Sequence, residues 1–230
     1  MEVTLQPAAV PSTSGRVDGA LRITEIFLSL QGESSTIGMP TTFVRLTGCP
    51  LRCVYCDTAY AFKGGRMMTR DEVLSAVAGQ GVPHVCVTGG EPLAQPGCNA
   101  LLQALVEEGY LVSLETSGAF PIGSVPVEVT VVMDLKTPSS GEMHRNLMNN
   151  IAALRPHHEV KFVIGGAEDY AWAVAQLREH RLSERVQVLF SPIKGAQDPT
   201  ELADWIVRDR LPVRFQVQLH KILWADEAGR

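Results

Sequence analysis

The stretch Cys49-Pro-Leu-Arg-Cys53-Val-Tyr-Cys56-Asp57-Thr58 restricts what this chain can be more than any other. Its thiols follow the spacing Cys-x3-Cys-x2-Cys, and no fourth Cys or His follows at a nearby ligand spacing. A structural zinc site closes with four ligands, usually as two pairs, so the triplet leaves a coordination position open. A cubane iron–sulfur cluster held by three thiolates also keeps one iron free for an external ligand. Zinc and plain surface cysteines are the competing readings of the same residues.

The remaining two of the five cysteines, Cys86 in an apolar strand candidate and Cys98 at the start of a helix candidate, read as free thiols. An odd count without paired spacings fits a reducing compartment, so a cytoplasmic protein is expected. No segment approaches the roughly 18 apolar residues of a membrane helix. The N-terminus lacks the basic start and apolar centre of a secretory signal. A formal charge of −5 offers no basic field for nucleic acid. At 230 residues, 45% hydrophobic and 20% charged, the chain suits one substantial globular domain. Residues 1–20, rich in small residues and breakers, read as a flexible N-terminal extension, which leaves 21–230 for the domain.

From Leu21 the pattern alternates. Strands are predicted over 22–28, 42–46, 84–88, 111–115, 127–135, 159–164, 186–190 and 213–219. Thr69-Arg-Asp-Glu72 is a capping box, and Val73, Leu74, Val77 and Ala78 then share a helical face. Leu101, Leu102, Leu105 and Val106 give a second amphipathic turn, closed by Gly109. Segments 144–154, 167–180 and 199–209 also read as helical, with Tyr170, Val174 and Leu177 as a core stripe. Strand–helix alternation from residue 69 argues for a parallel sheet with helices outside. Runs such as Val85-Cys86-Val87 fit strands covered on both faces. In such sheets ligands gather at the C-terminal strand ends. Thr88-Gly-Gly-Glu-Pro92, Glu115-Thr-Ser-Gly118, Asp134-Leu-Lys136 and Ser191-Pro192 each end a strand candidate, so four polar clusters reach one rim.

Each cluster has two readings. Gly89-Gly90 lets a ligand approach without a Cβ clash, and Glu91 can accept hydrogen bonds from an ammonium group; the alternative is a tight turn with an exposed acid. Asp134 and Lys136 suit ribose hydroxyls or a carboxylate, or form a solvated charge pair. Glu115 and Ser117 serve a ligand or a local cap. Leu30-Gln31-Gly32-Glu33 suits a flat, nitrogen-rich heterocycle, or is a polar turn. Arg45, in a short strand, can hold a carboxylate bidentately or be ion-paired at the surface. His220, at the end of the last strand candidate, is a ligand contact or structural. His84, His144, His157, His158 and His180 are expected at the surface or at helix ends.

The cysteine spacing, with Tyr55 just before the last thiol, resembles the signature of the radical S-adenosylmethionine (SAM) enzymes. Taken with Leu30-Gln-Gly-Glu33, Phe43-Val-Arg-Leu-x-Gly-Cys49, Cys56-Asp-Thr58, Thr88-Gly-Gly-Glu-Pro92, Glu115-Thr-Ser-Gly118 and His220-Lys221, it is similar to the 7-carboxy-7-deazaguanine synthases over roughly residues 21–224. That resemblance implies an α/β fold, a shortened (partial) TIM-type (β/α) barrel. It implies conversion of 6-carboxy-5,6,7,8-tetrahydropterin to 7-carboxy-7-deazaguanine, by radical ring contraction with loss of ammonia, in queuosine and 7-deazapurine biosynthesis. A homodimer, Mg2+ and a flavodoxin- or ferredoxin-type electron donor are implied as well.

Carried over by position, Cys49, Cys53 and Cys56 would hold a 4Fe–4S cluster. Tyr55, Cys56, Asp57, Gly90, Glu91, Ser117, Asp134, Leu135 and Lys136 would line SAM, with Glu91 taking its amino group. Leu30, Gln31, Gly32, Arg45, Thr88 and His220 would contact the pterin, and the Thr58 hydroxyl would sit on Mg2+. No catalytic side chain is implied beyond the SAM-derived radical. Two departures stand out. The chain runs on from Trp224 to Arg230 where some relatives end soon after the His-Lys pair, and Ser191 stands where some have Gln. The competing functions are a radical SAM activase that installs a glycyl radical in a partner protein, and a non-enzymatic metal-binding regulator. The regulator's expected basic recognition helix is missing from the sequence.

Overall fold

The computed structural model describes residues 19–225 together with Glu227 and Gly229; the expected extension over residues 1–20 lies outside them but for Gly19 and Ala20. Among the described residues nine strands form one sheet, in the order β3-β1-β2-β4-β5-β6-β7-β8-β9. β1 (Leu21–Leu30) and β2 (Pro40–Leu46) are an antiparallel pair, and β3 (Arg66–Met68) lies antiparallel on the far side of β1. From β2 onward every neighbour is parallel: β4 (His84–Gly89), β5 (Leu111–Thr116), β6 (Thr130–Asp134), β7 (Glu159–Ile164), β8 (Gln187–Pro192) and β9 (Arg214–Phe215).

Helices α1 (Arg70–Ala78), α2 (Cys98–Glu107), α4 (Ala167–Glu179) and α5 (Pro199–Arg208) connect parallel strands, with a short α3 (Asn150–Ala153) between β6 and β7. α1 begins at the capping box, where Thr69 N–H donates to Glu72 at 2.6 Å and Glu72 N–H returns to the Thr69 hydroxyl at 3.3 Å. α5 begins where the Asp198 carboxylate accepts from Glu201 N–H at 3.0 Å. Leu101, Leu102 and Leu105 of α2 are wholly buried, as are Val85, Cys86 and Val87 of β4. A buried leucine of this kind contributes roughly 1.5–3 kcal/mol, so the helices are held to the sheet mainly by their apolar faces. No helix among the described residues is long and apolar enough to cross a membrane.

The sheet does not close through its backbone, because β3 and β9 are its unpaired ends. Side chains close it instead. The loop after β1 reaches across, and Ser35 N–H donates to the Glu159 carboxylate of β7 at 3.0 and 3.1 Å. Ser34 and Gln216 pair reciprocally, each amide donating to the other's carbonyl at 2.8 Å. Glu159 and Gln216 are both buried. The result is a partial barrel whose seam is sealed by one polar loop.

Four expectations need correction. The strand over 127–135 shrinks to Thr130–Asp134, since Val129 N–H turns back to Pro126. The helix over 144–154 breaks into a short turn at Met143–Arg145 and α3. Asn146 is spent on both backbone groups of Lys136, at 2.9 Å each, and Asn150 on the carbonyls of Gly118 and Phe120; such amides compete with the helical backbone. The strand over 213–219 pairs only at Arg214–Phe215. The chain then enters α6 (Leu219–Leu223), which places His220 and Lys221 on a helix rather than at a strand end.

The fourth correction is His158, which is 1% exposed instead of lying at the surface. Its Nδ1 accepts from Arg155 N–H at 3.2 Å, and its ring meets His157 edge-on. Burial, with His157 and Arg155 nearby, lowers its pKa to about 4. The unfolded chain binds this proton below about pH 6.5 and the folded one does not. Stability should therefore fall as pH drops from about 6.5 towards 4, by up to about 3 kcal/mol, and level off below. Thermal melts of the parent and of His158→Gln across that window check this: the parent's stability should decline more steeply, and parallel curves would exclude the buried histidine as the cause.

Candidate active site

A cavity of about 520 Å³ opens at the C-terminal ends of β4, β5, β6 and β7 and is lined there by Thr88, Thr116, Asp134 and Val163. The fourth predicted cluster is the exception, because Ser191 is buried away from the cavity and the following Ile193 and Lys194 line it instead. Cys49, Cys53 and Cys56 all face the cavity as free, half-buried thiols. Their loop is pinned by its neighbours. Leu51 is buried, Arg52 N–H donates to Glu142 at 2.7 Å, Val54 N–H reaches Ser140 at 3.1 Å, and the Arg52 guanidinium lies 4.4 Å over the Phe62 ring.

Gly90, the residue after β4, is demanded by this loop. A Cβ at Gly90 would stand 2.2 Å from the Gly48 carbonyl oxygen and 2.9 Å from Cys49 Cβ. Glu91 differs from expectation. It is wholly buried, and its carboxylate accepts from Leu93 N–H, the Thr116 hydroxyl, and the Ser117 N–H and hydroxyl. Those donors turn it away from the cavity, and it ties the β4 and β5 ends together. Leu135 is likewise a fully buried core side chain, with no face on the cavity. Gly90, Ser117, Tyr55, Asp57, Thr58 and Lys136 do line it.

The opposite wall comes from the β1–β2 hairpin and α6. Leu30, Gln31, Gly32, Arg45 and His220 all face the cavity, as does Thr88. A Cβ at Gly32 would lie 2.1 Å from His220 Nδ1, so any side chain there would displace the imidazole. Leu219 N–H donates to the Gly32 carbonyl at 3.0 Å, and Lys221 Nζ donates to Asp57 at 2.7 Å. α6 therefore ties the cluster loop to the hairpin loop. Burial depresses the His220 imidazole, against the pull of Glu33. Arg45 Nε donates to Glu25 at 2.7 Å, the Tyr60 hydroxyl donates to the same oxygen at 2.7 Å, and the guanidinium lies 5.8 Å from the rings of Phe27 and Tyr60.

Two lining residues, Lys161 and Tyr60, drew no reading from the sequence; Glu33, in the stretch read as suiting a heterocycle, and Glu115, read as a ligand contact or a local cap, line the cavity with them. Lys161 Nζ donates to Glu33 at 2.6 Å and stands 3.8 Å from Asp134 Oδ2, which Lys136 Nζ also holds, at 2.8 Å. Glu115 accepts from the Thr88 hydroxyl at 2.8 Å. The available signal was an ionic residue in the interior of a strand, at Lys161.

The donor set fits an iron–sulfur cluster with a bound nucleoside-type ligand. Among the described residues no three His, Cys, Asp or Glu side chains gather tightly enough for a single metal ion, yet the three thiols share one cavity. Burial raises the pKa of Cys49 and of Cys53, so a bound metal's own charge is what would deprotonate them. Three buried polar atoms of the lining, Asp134 Oδ1, Gln31 Nε2 and the Tyr55 hydroxyl, have no hydrogen-bond partner. Atoms of that kind call for a polar ligand.

The sequence matches the Radical SAM superfamily over residues 43–180. Among solved structures, QueE from Escherichia coli superposes with a TM-score of 0.74 at 23% identity, covering 91% of this chain and 100% of that one. SuiB from Streptococcus suis bound to S-adenosylmethionine gives 0.52 at 16% identity over 74% of this chain and 48% of that one. Fold, cluster loop and family match together make this a radical SAM protein, a class that implies a 4Fe–4S cluster and SAM.

The 7-carboxy-7-deazaguanine synthase of Chlorobaculum tepidum is 44% identical over 214 residues, covering 92% of this chain and 97% of the relative. That of Koribacter versatilis is 44% identical over 224 residues, covering 90% and 98%. The chain belongs to the 7-carboxy-7-deazaguanine synthase family.

Proposed function

We propose that this chain, with residues 21–230 as its one domain, converts 6-carboxy-5,6,7,8-tetrahydropterin to 7-carboxy-7-deazaguanine with loss of ammonia, as a step towards queuosine and related 7-deazapurines. The observation that carries the reading is Arg45. A guanidinium fixed by Glu25 and two aromatic rings faces the same cavity as the three thiols. It suits a small carboxylate-bearing heterocycle better than a protein loop, and so disfavours the glycyl-radical activase. The shared open-site thiols and unpartnered polar atoms also disfavour a non-enzymatic regulator.

The reduced cluster and SAM together supply a hydrogen-abstracting radical. The protein's part is to bind, orient and exclude water. Cys49, Cys53 and Cys56 hold the cluster; Tyr55, Gly90, Ser117, Asp134 and Lys136 hold SAM; Gln31, Gly32, Thr88 and His220 frame the pterin beside Arg45. Reduction falls to a flavodoxin- or ferredoxin-type donor in the cytoplasm, and the working form is a homodimer. The test is to incubate reduced, reconstituted protein with SAM and the carboxy-tetrahydropterin and look for the deazapurine by mass spectrometry. Its absence, with cluster and SAM cleavage intact, overturns the reading.

Mg2+ belongs to the same proposal. It keeps waters and takes few protein ligands, and Thr58 lines the cavity with its hydroxyl 3.7 Å from Cys56 Sγ. Thr58→Val should blunt the response of turnover to added Mg2+ while leaving the cluster's absorption spectrum unchanged. An unaltered metal titration curve excludes Thr58 as a ligand.

A further inference from the structure

Lys161 belongs to none of the sequence motifs, yet its ammonium stands between the two halves of the cavity. The β6–β7 register sets it beside Asp134. Its Nζ lies 2.6 Å from Glu33 on the hairpin-loop side and 3.8 Å from Asp134 on the other. Asp134 Oδ2 is shared with Lys136, while Oδ1 is buried and unpartnered. The four side chains are between 10% and 16% exposed, so solvent screens them weakly. Burial works against the charge on Lys161, but the carboxylates of Glu33, Asp134 and Glu115 outweigh it and keep the ammonium protonated.

We propose that Lys161 is a positioning residue that couples pterin binding to SAM binding. The coupling presupposes the pterin reaction proposed above. Lys161 is held closer to Glu33 than to Asp134. A heterocycle whose N–H groups donate to Glu33 relieves that carboxylate of part of its negative charge. The ammonium is then drawn towards Asp134, the 3.8 Å separation shortens, and Asp134 is fixed with Oδ1 turned to the SAM side. By linkage SAM must tighten pterin binding by the same factor. The radical thereby forms chiefly where its target is already in place.

The test measures SAM affinity by equilibrium dialysis on the reconstituted enzyme with its cluster oxidised, so that nothing is cleaved, with and without the carboxy-tetrahydropterin. In the parent the pterin should tighten SAM by about 5-fold or more. In Lys161→Met the ratio should fall to about 1, while SAM still binds because Lys136 retains Asp134. Glu33→Gln, nearly isosteric, should lose the ratio too, and it decides alone if Lys161→Met does not fold. A purely structural Lys161 would weaken both affinities and leave their ratio untouched, so a parental ratio in either folded variant overturns the coupling. A parent that makes the deazapurine but whose SAM affinity ignores the pterin overturns the coupling alone. A parent that does neither overturns the reaction beneath it as well.

Discussion

Cys53→Ala protein is expected to fold, to lose its cluster absorption and to form no 5′-deoxyadenosine above background. Folding should survive because the thiol holds nothing in place. Leu51 is buried, the Arg52 side chain donates to the carbonyls of Cys49 and Leu51 at 2.7 and 2.6 Å, and Arg52 N–H is bound by Glu142. Activity should not survive, because an open-site cubane needs all three thiolates to leave one iron for SAM. Cys49→Ala and Cys56→Ala should behave alike. Cys86→Ala and Cys98→Ala are the controls. Both thiols are fully buried, burial pushes Cys86 well up and Cys98 to about 12, and neither faces the cavity. They should keep activity at a modest cost in stability. Full 5′-deoxyadenosine formation by Cys53→Ala would sink the cluster assignment.

The second large effect is expected at Arg45. A planar guanidinium meets a carboxylate with two parallel hydrogen bonds, and charge-assisted bonds contribute roughly 1.5–3 kcal/mol each. Loss of that contact should cost about ten- to several-hundred-fold in kcat/KM for Arg45→Ala, with SAM binding nearly unchanged. Unproductive SAM cleavage should persist, because the radical forms while its target is misplaced. The structure adds a constraint. Arg45 Nε is committed to Glu25, so a ligand carboxylate must meet the terminal Nη groups. Glu25→Gln keeps the positive charge and loosens its aim, and should fall between the parent and Arg45→Ala. Arg45→Lys should recover part of the loss. If Arg45→Ala works at the parent rate with an unchanged KM, the residue is structural.

Much of the strand–helix order was legible, because apolar runs and caps are local signals. The capping box at Thr69 and Glu72 and the buried β4 run could be read directly. The cavity's cluster side could be read too, since three thiols in one loop must lie close together whatever surrounds them. What stayed hidden depended on partners far along the chain. Glu91 reads as an acceptor for a ligand's ammonium group, or else as an exposed acid, until Thr116 and Ser117 fold against it. Leu135 lies between two lining residues, and the alternation of a strand sends it into the core. His220 looked like the end of a strand because nothing local says that Leu219 N–H will be claimed by the Gly32 carbonyl. Lys161 drew no reading at all until Glu33 and Asp134 appeared on either side.

The polar clasp at the seam bears on the order in which the protein assembles. Ser35 waits for Glu159, 124 positions later, and Ser34 for Gln216, 182 positions later. Bringing such distant segments together in an unstructured chain costs on the order of 5 kcal/mol of loop-closure entropy, more than a few hydrogen bonds return. Each added βα unit shortens the remaining gap, so the clasp forms cheaply only after the sheet has grown out to β9. Gly32 and Glu33, held by Leu219 and Lys161, are then among the last residues to be fixed, and their part of the cavity wall is completed late. Contacts of such separation also slow folding.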